Sequence, residues 1–187
     1  PSPRGFGHAV LLVKSLVGDE PFLVHAGDTL ISSKTGYPIN DLMMTHKALE
    51  ALATFLVCPV EDPSKYGVIT GRESQAGVIH VESMVEKPSG PKSNLAIMPV
   101  YIFDRSIFGA LEKTSPGKNN EIQLTDGIAK LLKIDANKVI AVKMGNTDSF
   151  IDVGNPESYW EALNFTYKDT YSSHEERSSS LPYPGTL

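Results

Sequence analysis

Apolar runs of strand length alternate with segments of helical periodicity along most of the chain. Short apolar runs bounded by Gly, Pro, Asn or Asp are typical of strands, and apolar residues spaced three and four apart predict helices. Alternation of the two predicts an α/β domain, for which we expect a mostly parallel sheet. The predicted strands are residues 21–24, 55–60, 66–70, 77–85 and 139–144 with a further apolar run at 95–103, and the predicted helices are residues 7–17, 39–55, 107–111, 121–132 and 156–167.

The sequence also predicts a turn within the domain and a C-terminal limit of the domain. Gly71 indicates the turn between the strands at 66–70 and 77–85. The C-terminal stretch is rich in Ser, Pro and charged residues, a composition that packs poorly. We therefore expect one domain at residues 1–167, followed by a polar tail at residues 168–187.

Composition and charge narrow the class of protein. The chain has 187 residues, is 41% hydrophobic and 21% charged, and carries a net charge of −5, all ordinary for a globular domain. The negative balance speaks against a nucleic-acid or acidic-lipid partner, so an anionic substrate needs local cations or a metal. The single cysteine, Cys58, cannot form an internal disulfide and is expected to be a small buried hydrophobe. No apolar run approaches the roughly 20 residues of a membrane span, and we expect a cytoplasmic protein without a secretion signal or a membrane partner.

Two isolated acids follow strand-like runs. Asp28 comes after the strand predicted at 21–24, in the stretch AGDTLI, and Asp152 comes after Phe150 and Ile151. In α/β sheets ligands bind beyond the carboxyl ends of strands, which suggests a site, although acids in such positions also form turns or cap helices. If the two acids converge, they suit Mg²⁺, because this cation takes few carboxylates and shares its shell with phosphate oxygens and water.

An acid and a base stand side by side in VEKPSG. Glu86 and Lys87 follow a strand-like run, and adjacent side chains on an extended chain point to opposite faces. We therefore expect that they do not simply neutralise each other. One can accept from hydroxyl groups while the other reaches an anion. This short motif is weak by itself.

Seven stretches together resemble the nucleoside-diphosphate-sugar pyrophosphorylases, and among them the bacterial and archaeal uridylyltransferase type. The resemblance implies a Rossmann-like three-layer α/β/α sandwich of the nucleotide-diphospho-sugar transferase type. It also implies a reaction that joins glucose 1-phosphate to UTP and releases UDP-glucose and pyrophosphate, with Mg²⁺ as cofactor. The matching stretches, in the family's order, are PSPRGFGHAV, VGDEPFLVHAGD, YGVI, VEKP, SNLAI, NNEIQLTDGIAKLL and DVGNPESYWEALNF.

The resemblance assigns roles to individual positions. Asp28 and Asp152 match the two Mg²⁺ ligands, Lys87 matches the base that holds the sugar phosphate, and Glu86 matches the acid that accepts from sugar hydroxyls. Asp28, Lys87 and Asp152 are the expected catalytic residues. The other matches are to substrate-binding positions: Gly5, Gly7 and His8 beside the nucleobase, Tyr66 and Gly67 in the sugar-pocket loop, and Asn94 near the sugar.

Several of these positions keep a second interpretation. Gly5 and Gly7 also suit a simple turn before a helix, and His8 also suits a helix start. A His at this position is common in the uridylyltransferases, whereas thymidylyltransferases more often have Gln, so His8 is the hint for UTP. Glu121, Gln123 and Asp126 match the family too, but acids are favoured at a helix start for electrostatic reasons alone.

The chain departs from the family pattern in two places. The family begins with a strand and a G-x-G-T-R loop followed by P-K, and no stretch here matches it. We therefore expect an N-terminally truncated domain, which acts as a homo-oligomer or associates with the missing N-terminal part. Met98 and Pro99 replace the small residues usual after SNLAI. Thymidylyltransferases, other sugar-1-phosphate nucleotidyltransferases and a non-catalytic sugar-nucleotide-binding module are the alternatives.

Overall fold

The structure, a computed structural model, describes residues 4–33 and 38–179, and only the backbone of Lys118 and of residues 169–179. The chain forms two compact units. The larger unit is Pro1–Ala26 with Ser33–Asp148, and the smaller unit is Gly27–Ser32 with Ser149–Leu187. The strands, in chain order, are β1 Phe22–His25, β2 Thr29–Ser32, β3 Ala53–Pro59, β4 Gly67–Gln75, β5 Val78–Glu86, β6 Leu95–Phe103, β7 Val139–Lys143 and β8 Ser149–Asp152; the helices are α1 Phe6–Leu12, α2 Lys14–Val17, α3 Pro38–Ala48, α4 Ser106–Glu112, α5 Leu124–Leu131 and α6 Pro156–Ser179.

A six-stranded mixed sheet forms the centre of the larger unit. Its strand order is β1-β6-β3-β7-β5-β4, and β4 also touches β6. Among the strands that the structure describes in this sheet, only β3 and β7 run parallel, and the other pairings are antiparallel. The prediction of a mostly parallel sheet is therefore wrong. The tight turn between β4 and β5 forces an antiparallel pair, since parallel strands need a long crossover, and no helix separates β5 from β6.

Helices cover both faces of this sheet. In β3, the alternating residues Ala53, Phe55 and Val57 belong to the buried cluster that includes the apolar sides of α1, α4 and α5. Thr54 points to the opposite face, where its hydroxyl lies 2.9 Å from Nδ1 of the buried His46 on α3. The larger unit is thus a three-layer α/β/α sandwich, as expected. The fully buried side chains at its centre include Phe55, Phe103, Ile107, Leu111, Ile128 and Ile140.

Three of the predicted helices break, end early or begin late in the structure. The helix expected at 7–17 breaks at Val13 into α1 and α2. The helix expected at 39–55 ends at Ala48, because β3 begins at Ala53. The helix expected at 121–132 begins only at Leu124. Its first residues are instead held by the N-terminal segment, since the amide of Ile122 donates to the carbonyl of Arg4 at 2.8 Å.

Gly71 lies inside β4 and not in a turn, so that prediction is wrong. The hairpin turn is at residues 76–77, where Gly77 has a φ of +81°. Gly71 sits at a shift of register between β4 and β5. A Cβ there would lie 2.3 Å from the carbonyl oxygen of His80, so this glycine permits a close approach of two backbones.

Pro99 interrupts the hydrogen-bond ladder of an inner strand. Proline lacks an amide donor, and the pairing of β6 with β3 shifts register around it, between Phe55 with Tyr101 and Val57 with Ile97. The carbonyl of Pro99 accepts from the amide of Ala26 at 3.0 Å. A register shift therefore accommodates the departure from the family pattern at this position.

The smaller unit pairs β2 with β8 and continues into α6. The two strands are antiparallel, with Thr29 opposite Asp152. Asn155 caps α6, since its side-chain oxygen accepts from the amide of Ser158 at 2.9 Å. The helix continues through residues 168–179 of the segment expected to be a tail, and residues 180–187 lie outside the described part. Within the described ranges, no helix has the length and apolar character needed to cross a membrane.

Candidate active site

The pairing of β4 with β5 brings two predicted binding motifs together. Gly67 at the start of β4 is the direct partner of Glu86 at the end of β5. One residue further out, the amide of Lys87 donates to the carbonyl of Tyr66 at 3.0 Å. The YG and EKP motifs, about 20 residues apart in sequence, thus form one edge of the sheet.

The Glu86 carboxylate is sheltered and held in place. Its side chain is 19% exposed, and its Oε1 lies 4.0 Å from Nζ of Lys87. Its Oε2 accepts a hydrogen bond from the hydroxyl of Thr125 at 2.6 Å. A carboxylate has about four acceptor positions, so Glu86 keeps acceptor capacity for the hydroxyls of a ligand.

Lys87 departs from the extended backbone that the sequence pattern assumes. Its φ is +43°, in the left-handed region that residues with a side chain rarely occupy. The alternation of faces therefore stops at Glu86, and the expectation that the two side chains point to opposite faces does not hold. The Lys87 side chain remains half exposed, so its charge is available to an anion. Strained backbone of this kind is often found at functional sites.

Tyr101 lies behind Glu86 and was not anticipated from the sequence. Burial, with a smaller contribution from the negative charge of Glu86, raises the pKa of Tyr101 well above its usual range. The phenol is therefore neutral at physiological pH. Its ring stacks on Phe103 at 5.4 Å and meets the edge of Phe6 at 6.0 Å. Tyr101 is thus a buried, neutral residue close enough to Glu86 to feel its charge, and its ring packs against Phe6 at the start of α1.

The glycines of the N-terminal segment allow close packing inside the protein. Gly5 has a φ of +92°, and a Cβ there would lie 2.7 Å from Cβ of Glu121. A Cβ at Gly7 would lie 2.7 Å from the carbonyl oxygen of Ile122, which accepts from the Gly7 amide at 2.9 Å. This packing accounts for both glycines without a ligand. His8 follows on α1 and is partly buried.

Asn94 is exposed and belongs to a different set of neighbours. Its carbonyl accepts from the amide of Val60 at 3.0 Å. It lines an open cavity of 670 Å³ together with Pro63 and Lys92, whereas Glu86 and Lys87 do not line this cavity. The structure therefore places Asn94 at this cavity, and its role in sugar binding stays a prediction.

The smaller unit contains both predicted metal ligands, at the same end of its strand pair. Asp28 does not end β1, as the sequence pattern suggested, but lies in the turn directly before β2. Its carbonyl accepts from the amide of Val153 at 2.7 Å, next to the pair formed by Thr29 and Asp152. Asp28 and Asp152 are thus close along the backbone, at the same end of the two-stranded sheet. Both are exposed.

This pair of acids fits Mg²⁺ by the chemistry of its donors. The described residues contain no group of three or more His, Cys, Asp or Glu side chains that could enclose a metal ion. Mg²⁺ is commonly held by one or two carboxylates, with substrate phosphates and water completing its shell. Asp152 is also not needed as a helix cap, because Asn155 fills that position at the start of α6.

Sequence reasoning missed Thr125, which donates a hydrogen bond to Glu86, and Tyr101, whose pKa is influenced by the charge of Glu86. In the sequence, Thr125 is visible only as part of a helix start, and Tyr101 only as one apolar position in a strand. The sequence pattern gives no sign that either residue interacts with Glu86.

The fold and the site define a class of protein. A family profile described as Nucleotidyl transferase matches residues 1–169, and the chain belongs to this family.

Particular relatives share more than the family. Over 174 residues the chain is 36% identical to a UTP--glucose-1-phosphate uridylyltransferase of Pseudomonas aeruginosa. This match covers 91% of the chain and 61% of that protein. The chain is 43% identical over 138 residues to the enzyme of the same name from Streptococcus pneumoniae. This match covers 70% of the chain and 46% of that protein. The chain thus spans about three fifths, or less, of the curated relatives it matches.

Solved structures with the same fold carry related names. A UDP-glucose pyrophosphorylase complexed with UDP-glucose superimposes with a TM-score of 0.82 and 36% identity, over 90% of this chain and 64% of that one. A UTP-bound enzyme from Acinetobacter baumannii superimposes with a TM-score of 0.76 and 30% identity, over 97% of this chain and 64% of that one. The nucleotidyltransferase fold expected from the sequence is confirmed.

Proposed function

We propose that the full natural protein joins glucose 1-phosphate to UTP and releases UDP-glucose and pyrophosphate. The observation that carries this proposal is the sheltered Glu86 carboxylate, which pairs with Gly67 and has the Lys87 ammonium beside it. An acceptor for hydroxyl groups next to a cation suits a ligand that has both hydroxyls and a phosphate. The names of the relatives support UTP and glucose as the nucleotide and sugar.

In the proposed reaction, the chain's residues bind and orient two anions. Glu86 accepts hydrogen bonds from sugar hydroxyls, and Lys87 offsets the charge of the sugar phosphate. A phosphate oxygen of the sugar attacks the α-phosphorus of UTP in line, and the bond from that phosphorus to the pyrophosphate oxygen breaks. No general base is required, because the attacking phosphate is already ionised at neutral pH. Catalysis therefore rests on positioning and on electrostatic stabilisation.

The remaining residues complete the proposal. Asp28 and Asp152 would hold Mg²⁺, which when bound supplies positive charge that reduces the repulsion between the reacting phosphates. The segment that contains Gly5, Gly7 and His8 would lie beside the nucleobase of the bound UTP, and the two glycines would allow the close packing that holds this segment in place. Because both substrates are intracellular metabolites, the proposal includes a cytoplasmic location.

Substitutions at the EKP motif test the assignment of the sugar site. We expect Glu86→Gln and Lys87→Ala, made in the full natural protein, each to raise the KM for glucose 1-phosphate by about 10-fold or more, because hydrogen bonds to charged groups contribute roughly 1.5–3 kcal/mol. The KM for UTP should change much less. Steady-state kinetics with each substrate varied in turn measure both constants.

Lys92→Ala provides the matched control. Lys92 lies in the same loop between β5 and β6, is exposed, and lines the cavity around Asn94. Its removal should leave both KM values within about twofold of the wild type, since an exposed charge contributes little. If the Glu86 and Lys87 variants lost affinity for UTP and kept that for glucose 1-phosphate, the assignment would be wrong.

A further inference from the structure

Thr125 contacts the carboxylate of Glu86, the candidate sugar-binding acid. It is the second residue of α5, and only 7% of its surface is exposed. Its hydroxyl donates to Oε2 of Glu86 at 2.6 Å, across 39 residues of sequence. A buried hydroxyl that donates to a carboxylate forms a charge-assisted bond, which is roughly twice as strong as a neutral one.

This bond fixes the orientation of a flexible side chain. Glutamate has three rotatable side-chain bonds, and Glu86 stands at the last position of β5, where the regular strand ends. Because Thr125 occupies Oε2, the other oxygen, Oε1, stays on the side of Lys87, 4.0 Å from its Nζ. The hydroxyl acceptor and the phosphate-binding cation are thereby presented together.

Thr125 is itself held firmly. Its β-branched side chain has few rotamers, and the residues before α5 are bonded to the N-terminal segment through Ile122, which joins to Arg4 and Gly7 at 2.8 and 2.9 Å. Gly67 lies next to the hydrogen bond between Thr125 and Glu86. A Cβ at Gly67 would lie 3.0 Å from the Thr125 hydroxyl and 3.2 Å from Oε2 of Glu86, so the bond fills the space that a larger residue would need.

We propose that Thr125 is a positioning residue for the sugar site, which sets the orientation of the Glu86 carboxylate and so the affinity for the sugar hydroxyls. This inference rests on the proposed function. The inference goes beyond the proposed function because it assigns part of sugar recognition to Thr125, a residue that itself needs no contact with the ligand.

The test compares Thr125→Val with Thr125→Ser in the full natural protein. Valine keeps the shape and removes the hydroxyl, and serine keeps the hydroxyl. We expect Thr125→Val to raise the KM for glucose 1-phosphate about 10-fold, the lower end for a bond to a charged group, with the KM for UTP within about twofold. Thr125→Ser should stay within about threefold of the wild type for both substrates.

Thr114→Val is the matched control. Thr114 is also 7% exposed, and its hydroxyl donates to the carbonyl of Ala110 at 2.9 Å, in α4. This variant should lose thermal stability much as Thr125→Val does, while both KM values stay at the wild-type level. If Thr125→Val is not recovered folded, Thr125→Ala takes its place in the same comparison.

Glu86→Gln separates failure of this inference from failure of the proposed function. If Glu86→Gln leaves the affinity for glucose 1-phosphate unchanged, the sugar site itself is wrongly assigned. If Glu86→Gln weakens it and Thr125→Val does not, the positioning role is overturned. In the double variant, Thr125→Val should add less than about twofold to the effect of Glu86→Gln, because the two residues act as one unit. Full additivity of the two effects would also overturn the role.

Discussion

At the scale of single residues, Asp28 and Asp152 have the simplest expected effect. Their carboxylates are exposed at one end of the β2–β8 pair, where neither is needed for the core. We expect Asp28→Asn and Asp152→Asn each to lower kcat at least about 100-fold, which is on the order of 3 kcal/mol of barrier. Thermal unfolding should be little changed, since Asn is nearly isosteric with Asp. Turnover at saturating Mg²⁺ measures the first effect.

Asp135→Asn gives the comparison for this prediction. The Asp135 carboxylate accepts from the amide of Asn137 at 3.0 Å and caps a short turn. An acid with this local role should be replaceable with turnover near the wild-type rate. Near-normal turnover in either Asp28→Asn or Asp152→Asn would remove that residue from the proposed metal site.

The residue scale also shows where sequence reasoning succeeds and where it stops. Tyr66, Gly67, Glu86 and Lys87 were predicted to act together, and they meet because two neighbouring strands pair in register. Thr125 could not be found in this way. Its contact with Glu86 depends on how α5 packs against the end of β5, and a hydroxyl in the first turn of a helix otherwise indicates only a helix start.

At the scale of elements, α3 is held to β3 by a buried polar contact. His46 is buried, and its Nδ1 lies 2.9 Å from the hydroxyl of Thr54. Burial lowers the pKa of His46 from its ordinary value of 6.5, and the nearby Asp104 opposes this shift in part. Folding therefore favours the neutral imidazole.

This contact predicts a pH dependence of stability. Above about pH 6.5 the His46 ring is neutral in both the folded and the unfolded chain, and its contribution to the free energy of unfolding is fully present. As the pH falls below that value, the unfolded chain binds a proton that the folded chain still excludes, so stability falls until the lower pKa of the folded state is reached. One group gives a slope of at most about 1.4 kcal/mol per pH unit. Urea unfolding between pH 7.5 and 5.5 measures this slope.

Two histidine variants isolate this contribution. His46→Gln should have a flatter dependence than the wild type over that pH range, whereas His25→Gln, at the exposed end of β1, should follow the wild type. An equal slope in the wild type and in His46→Gln would show that His46 does not control the dependence.

The secondary-structure elements also show what the apolar pattern of the sequence can predict and what it cannot. Most strands and helices of the larger unit were predicted near their observed positions, because apolar periodicity records which faces are buried. The ends of the elements were predicted less well, and the helix expected at 39–55 ends at Ala48. The direction of the strands was not predicted correctly, because it depends on how the segments between the strands connect them. The position of Gly71 illustrates the limit, because its close contact with the backbone of His80 exists only once β4 and β5 have paired.

At the scale of the whole molecule, the two units divide the proposed chemistry. The larger unit contains the residues proposed for the sugar and the base, and the smaller unit contains both proposed metal ligands. The sequence resemblance anticipated the family and the three-layer fold, because seven stretches in order specify a fold more strongly than any one alone. It could not anticipate the division into units, which follows from contacts distant in sequence.

One measurement tests the central claim most directly. The full natural protein is incubated with UTP, glucose 1-phosphate and MgCl₂, and the products are separated and quantified. We predict UDP-glucose and pyrophosphate in equal amounts, with neither formed when one substrate is left out. Replacement of UTP by dTTP should give much less product. Binding of UDP-glucose without any turnover, or product formed only from dTTP, would contradict the account.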